Sequence, residues 1–142
     1  AEVVQIFDTW AGLLDAERWR RLVRPPLEAI LEGLPSTVPV LYYLQGAPHL
    51  LADLATLPVA GYGLDWRQPL ADARLVLGAG RTLQGNLDPA LLLAPPSVIQ
   101  RAVAGLLAGV DPPHIVNLGH GILPSTPVEH TQAFVQAVRR DG

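Results

Sequence analysis

Thr82-Leu83-Gln84-Gly85-Asn86-Leu87-Asp88-Pro89-Ala90-Leu91-Leu92-Leu93-Ala94-Pro95-Pro96-Ser97-Val98-Ile99-Gln100 contains one full round of a repeating pattern. Thr82 to Asn86 has the character of a short strand, and Asp88-Pro89 ends it with a proline whose missing donor costs nothing at a first helical position. Pro89 to Leu93 reads as a short turn. Ser97-Val98-Ile99-Gln100 then fits a capping box, in which a hydroxyl takes the N3 amide and the N3 side chain reaches back. The spacing predicts a helix over Val98 to Ala108, stopped by Gly109.

The same order recurs on both sides of this stretch. Apolar runs at Val3 to Phe7, Val38 to Leu44, Gly61 to Leu64 and Ile115 to Leu118 predict four more strands. Helical stretches lie between them: Ala16 to Leu31 after Asp15, interrupted at Pro25-Pro26 and closed by Gly33; Pro48 to Leu57, stopped by Pro58; and Pro69 to Leu77, ended by Gly78. Thr126-Pro127-Val128-Glu129 is a second capping box. Short apolar strands alternating with helices indicate a parallel sheet covered on both faces, because each crossover lays a helix over the strands. The fold class is α/β. The strand starts average about 28 residues apart, close to the roughly 31 per unit of a (β/α)8 TIM barrel. The favoured reading is therefore an incomplete barrel of about five β/α units, with two open sheet edges. A doubly wound open sheet competes, but Phe7-Asp8-Thr9-Trp10 stands where its Gly-rich turn belongs.

Composition narrows the function. The 142 residues are 49% hydrophobic and 16% charged, which excludes a disordered tail. No apolar run approaches the roughly 18 residues that a membrane span requires. Ten basic residues against 13 acidic ones give a net charge of −3, too little positive charge for nucleic acid to be the main partner. The absence of cysteine excludes disulfides, iron–sulfur clusters and thiolate zinc sites.

In a barrel, functional groups collect at the C-terminal strand ends. The polar residues there are Asp8 and Thr9, Gln45, Asp65, Asn86 and Asp88, and Asn117 with His120. Each by itself is most often a loop-forming or helix-capping residue, and it is their agreement at five strand ends that points to a site. His49, His114 and His130 read as structural or solvated, and their spacing matches no metal motif. His120 differs: it follows a strand, and Gly119 and Gly121 on either side let a ligand approach closely. Its imidazole can donate to a carboxylate or take a proton. Gly78-x-Gly80 and Gly119-x-Gly121 lack the remaining residues of a nucleotide-binding loop. The Arg18, Arg20, Arg21 and Arg24 cluster reads as a solvated or subunit-facing helix surface.

Four stretches together resemble the uroporphyrinogen decarboxylase family: Val4-Gln5-Ile6-Phe7-Asp8-Thr9-Trp10-Ala11-Gly12, Gly63-Leu64-Asp65-Trp66, Leu83-Gln84-Gly85-Asn86-Leu87-Asp88-Pro89, and Asn117-Leu118-Gly119-His120-Gly121 followed by Pro124 and Thr126-Pro127. The resemblance implies residues 1–142 as the C-terminal part of such a barrel, somewhat less than half of a family member. It implies cofactor-free decarboxylation of the four acetate side chains of uroporphyrinogen III to give coproporphyrinogen III, in heme biosynthesis. It also implies a cytoplasmic homodimer with no bound metal. Thr9 matches the family's substrate-binding Ser/Thr and His120 its substrate-contacting histidine. Gly85 and Asn86 are expected to shape the floor of the site, with Asp65 and Asp88 as fold elements. The family's arginine-bearing loop, pyrrole-holding aspartate and tyrosine have no counterpart here, so the resemblance places the main catalytic groups upstream and leaves the isolated chain inactive. Two alternatives stand beside it: a non-catalytic part-barrel that pairs with another chain, and the related corrinoid or thiol methyltransferases, whose zinc cysteines are absent.

Overall fold

Each apolar run forms a strand in the computed structural model, which describes residues 1–141. The strands are β1 (Val4–Asp8), β2 (Val40–Leu44), β3 (Gly61–Leu64), β4 (Thr82–Leu87) and β5 (His114–Leu118). All neighbouring pairs are parallel, and the order is β1-β2-β3-β4-β5. Every strand lies beside its predecessor in sequence, as in a β/α barrel. A doubly wound sheet reverses its strand order partway, and no such switch occurs among the described residues.

Helices α1 (Ala16–Leu22), α2 (Arg24–Gly33), α3 (Leu51–Leu54), α4 (Leu70–Leu77), α5 (Pro96–Ala108) and α6 (Val128–Asp141) fill the crossovers. They pack on one face of the sheet, which corrects the expectation of two covered faces. Side chains alternate along a strand, so Val40, Tyr42 and Leu44 of β2 and Tyr62 and Leu64 of β3 join Trp19, Leu50 and Leu54 in one core. Leu87 joins Ile99, Val103 and Phe134 in a second core beneath α5 and α6. Wholly burying a leucine such as Leu50, Leu54 or Leu92 contributes about 2 kcal/mol. The opposite face carries Gln5, Phe7, Tyr43, Gln84 and Asn117 and opens on a cleft. It is the inner face of a partial barrel.

Two glycines let that face curve. A Cβ on Gly61 would lie 2.4 Å from the Thr82 carbonyl oxygen, and one on Gly63 would lie 3.0 Å from the Tyr43 ring. With β3 stripped of inward side chains, the Gln5 amide of β1 reaches Gln84 of β4 and donates to its Oε1 at 2.7 Å.

Local signals placed the helices better than their ends. Asp15 caps α1 by accepting from the Arg18 amide at 2.8 Å. The break before α2 falls at Val23, not at Pro25-Pro26, which sit in the first turn of α2 where proline is tolerated. Pro48 to Leu57 is a 3-10 turn followed by the short α3, not one helix. Pro96 occupies the first turn of α5, so the helix starts before Ser97 and no side chain caps it. The Thr126 hydroxyl is buried without a partner, so the second capping box does not form.

The N-terminal strand ends are tied by two arginines. Arg74 on α4 is buried and donates through Nη1 to the carbonyls of Gly78, Ala79 and Arg81, and through Nη2 to those of Asp111 and Pro113, both at 2.8 Å. Arg81 donates to the Val59 and Leu57 carbonyls. Of the arginines on α1 and α2, Arg18 pairs with Asp15, Arg20 with Asp53 and the half-buried Arg24 with Glu28. No helix among the described residues is long and apolar enough to cross a membrane.

Candidate active-site wall

At the C-terminal strand ends, backbone groups are fixed by side chains that spend their polarity on the fold. Asp65 follows β3 and is 2% exposed. Its carboxylate accepts from the amides of Gly46 and Arg67 and from Arg67 Nη1 at 3.3 Å, tying the end of β3 to the end of β2. Asn86 donates through Nδ2 to the carbonyls of Asp65 and Gln68, at 2.7 and 2.5 Å. Asn86 therefore locks two loops together and, like Gly85, does not line the cleft; Gly63 and Gln84 line it instead. Asp88 caps the following turn by accepting from Ala90, and Asp8 accepts from the Tyr42 hydroxyl at 2.7 Å.

The cleft, about 490 Å³, lies on the inner face and is within the usual size of a small-molecule site. Thr9 and His120, 111 positions apart in sequence, both line it. Thr9 stands one residue beyond β1. His120 is carried by the turn after β5, whose Gly119 amide donates to the Leu87 carbonyl at 2.7 Å. A Cβ on Gly119 would lie 2.5 Å from the Trp66 amide nitrogen, so only glycine lets this turn come so close to the end of β3. Tyr43 donates to the Gly119 carbonyl at 2.8 Å, and its ring meets the His120 imidazole edge-on at 6.4 Å between centroids. Burial, with the Asp65 carboxylate nearby, pushes the Tyr43 hydroxyl up to about 12, so it stays a neutral donor at physiological pH.

The lining is chemically uniform. Gln5, Thr9, Gln84 and Asn117 offer neutral hydrogen-bonding groups, and the Phe7 and Tyr43 rings, 5.5 Å apart, give an apolar wall. Such a surface can hold a flat apolar ring and hydrogen-bond carboxylates at its edge. None of its lining residues is Asp, Glu, Lys or Arg, and no group of three metal-ligating side chains occurs among the described residues. The other histidines bind backbone carbonyls: His49 that of Leu14, His114 that of Gly85 and His130 that of Leu92. Gln45 lies outside this cleft, in a smaller hollow with Trp10 and Arg67 that shares Thr9 with it.

Sequence reasoning missed Gln5, Phe7, Tyr43 and Gln84 as cleft residues. A signal for the first two existed: Gln5, Phe7 and Thr9 follow one another at every second position, which puts them on one face of a strand.

Residues 1–140 match the family described as uroporphyrinogen decarboxylase (URO-D). A uroporphyrinogen decarboxylase of Thermus thermophilus is 43% identical over 98% of this chain and 41% of its own length. That of Pelobacter propionicus is 42% identical over 99% of this chain and 42% of its own. The chain thus spans about two fifths of the length of these relatives. A methyltransferase from Methanosarcina mazei shares the fold, with a TM-score of 0.84 at 24% identity over 99% of this chain and 42% of that one. With nearly every residue matched by the family, the chain belongs to the uroporphyrinogen decarboxylase family.

Proposed function

We propose that residues 1–142 form the C-terminal part of a uroporphyrinogen decarboxylase barrel, one wall of a site that turns uroporphyrinogen III into coproporphyrinogen III. The supporting observation is that Thr9 and His120, the two positions matching substrate-contacting residues of the family, line one cleft at the C-terminal strand ends. In this reading the enzyme works as a cytoplasmic homodimer and uses no cofactor.

The chemistry needs little more than proton placement and orientation. Protonation of a pyrrole carbon makes the ring an electron sink. The bond between the acetate methylene and its carboxylate then breaks, carbon dioxide leaves, and the bonding pair moves into the ring. The methylene gains a proton to become methyl, and the ring loses the one it took. Thr9 Oγ1 and His120 hydrogen-bond substrate carboxylates and hold the macrocycle against Phe7 and Tyr43. Groups from the rest of the barrel supply the proton and the electrostatic stabilisation.

The test uses the full-length protein that contains these residues. Thr9→Ala and His120→Asn are each expected to lower kcat/KM for uroporphyrinogen by roughly tenfold or more, the effect of losing a charge-assisted hydrogen bond to a carboxylate. The isolated 142-residue chain is expected to convert none. Wild-type kinetics in both variants would overturn the site, and turnover by the isolated chain would overturn the division of labour.

A further inference from the structure

We infer that Tyr43 is a positioning residue for His120: its hydroxyl clamps the turn that carries the imidazole, and its ring sets the imidazole's orientation in the cleft. The inference rests on the reading of His120 as a substrate contact. Tyr42 and Tyr43 are adjacent on β2 and point to opposite faces, so their hydroxyls do different work. Tyr42 turns to the helix side and donates to Asp8 at 2.7 Å, whereas Tyr43 turns inward and donates to the Gly119 carbonyl at 2.8 Å in a buried bond.

The turn after β5 is held at Gly119 and little beyond it. The Gly119 amide is bound to Leu87, its carbonyl to Tyr43, and its Cα is wedged against the Trp66 backbone. His120 follows and is exposed, and around Gly121 a Cβ would meet nothing within 4 Å. The last fixed point before the imidazole is therefore the Gly119 peptide, and Tyr43 supplies the hydrogen bond on its carbonyl. The edge-on ring contact at 6.4 Å and 63° is a second constraint from the same side chain. Removing the hydroxyl alone leaves a buried carbonyl without a partner in a turn with open space ahead of it, and the turn relaxes.

The full-length protein provides the test, through a double-mutant cycle on kcat/KM for uroporphyrinogen. Tyr43→Phe keeps the ring and is expected to lower kcat/KM roughly tenfold, with melting behaviour that confirms a folded protein. In the His120→Asn background the same substitution is expected to change it less than about twofold, because the group it positions is gone. Equal losses in both backgrounds, or none in either, would overturn the inference. A wild-type-like His120→Asn protein would instead overturn the underlying reading of His120. A second readout covers the case in which His120→Asn leaves too little activity to measure. The His120 signal in a 13C-histidine NMR spectrum, identified by its loss in His120→Asn, is expected to shift or split in Tyr43→Phe. An unchanged His120 signal would overturn the inference whatever the kinetics.

Discussion

Gln5 Nε2 donates to Gln84 Oε1 at 2.7 Å, joining β1 to β4 across the inner face with two strands between them. In a flat sheet these strands stand about 14 Å apart, so the bond records how strongly the sheet is curved. Gln84→Leu removes the acceptor and leaves a half-buried amide unmatched. The expected cost is about 1 kcal/mol, read as a lower urea midpoint at unchanged slope.

The same curvature depends on β3 having no inward side chains. Gly61→Ala would press a methyl against a backbone carbonyl, whereas Gly63→Ala meets the Tyr43 and Gln84 side chains, which can shift. The expected losses are about 3 kcal/mol for Gly61→Ala and about 1 kcal/mol for Gly63→Ala. Equal urea midpoints for the two variants would contradict this account.

Arg74 satisfies carbonyls from two segments, the one before β4 and the one before β5, with one guanidinium. An ammonium has no planar fork to spread over them, so Arg74→Lys should not rescue the site. Both Arg74→Lys and Arg74→Met are expected to lose about 3 kcal/mol, because hydrogen bonds to a charged group are worth roughly 1.5–3 kcal/mol each and buried acceptors are left open. A lysine variant as stable as the parent would refute it.

The three tyrosines resist ionisation. Burial raises all three, Tyr43 and Tyr62 to about 12, and Tyr42 is held up further by the adjacent Asp8 carboxylate. The native state therefore keeps protons that the unfolded chain gives up near pH 10. Stability is fully present below that pH and falls as pH rises from about 10 towards 12, where native Tyr43 and Tyr62 begin to ionise. Absorbance at 295 nm in the 142-residue chain should stay flat through pH 10 and rise above pH 11 together with loss of structure. An ordinary titration centred at pH 10 in a folded chain would show that burial has no such effect.

Among the described residues, β1 pairs only with β2 and β5 only with β4, while Phe7 and Ile115 on the inner face are exposed. Unpaired strand edges beside apolar surface are sites of association. Sedimentation of the 142-residue chain at micromolar concentration should show self-association, and a clean monomer would count against it.

What the sequence disclosed follows from how local each cause is. Gly61 to Leu64 reads to the residue, and Ile115 to Leu118 to within one, since the strand starts at His114, because apolar character and flanking turns lie within a few residues. Helix starts depend on neighbours in equally subtle ways, so Pro96 moved the start of α5 ahead of the Ser97 box. The family motifs placed Thr9 and His120, and the structure puts both in one cleft. The contacts that set the cleft's shape join residues 79 positions apart in Gln5–Gln84 and 76 apart in Tyr43–Gly119. Those depend on strand register and sheet curvature, which no local pattern encodes. Asn86 shows the converse: its motif marks it, but its amide is consumed in holding loops.

The strictly sequential strand order also governs how such a chain can assemble. Each strand needs only the one synthesised just before it, so β1 and β2 can pair while β4 and β5 are still emerging from the ribosome. Among the described strands, each addition closes only the crossover between neighbours, and no pairing skips a strand. Growth by one unit at a time keeps a leading edge ready for the next strand to meet. That polarity gives the nascent polypeptide a direction of folding that matches its direction of synthesis.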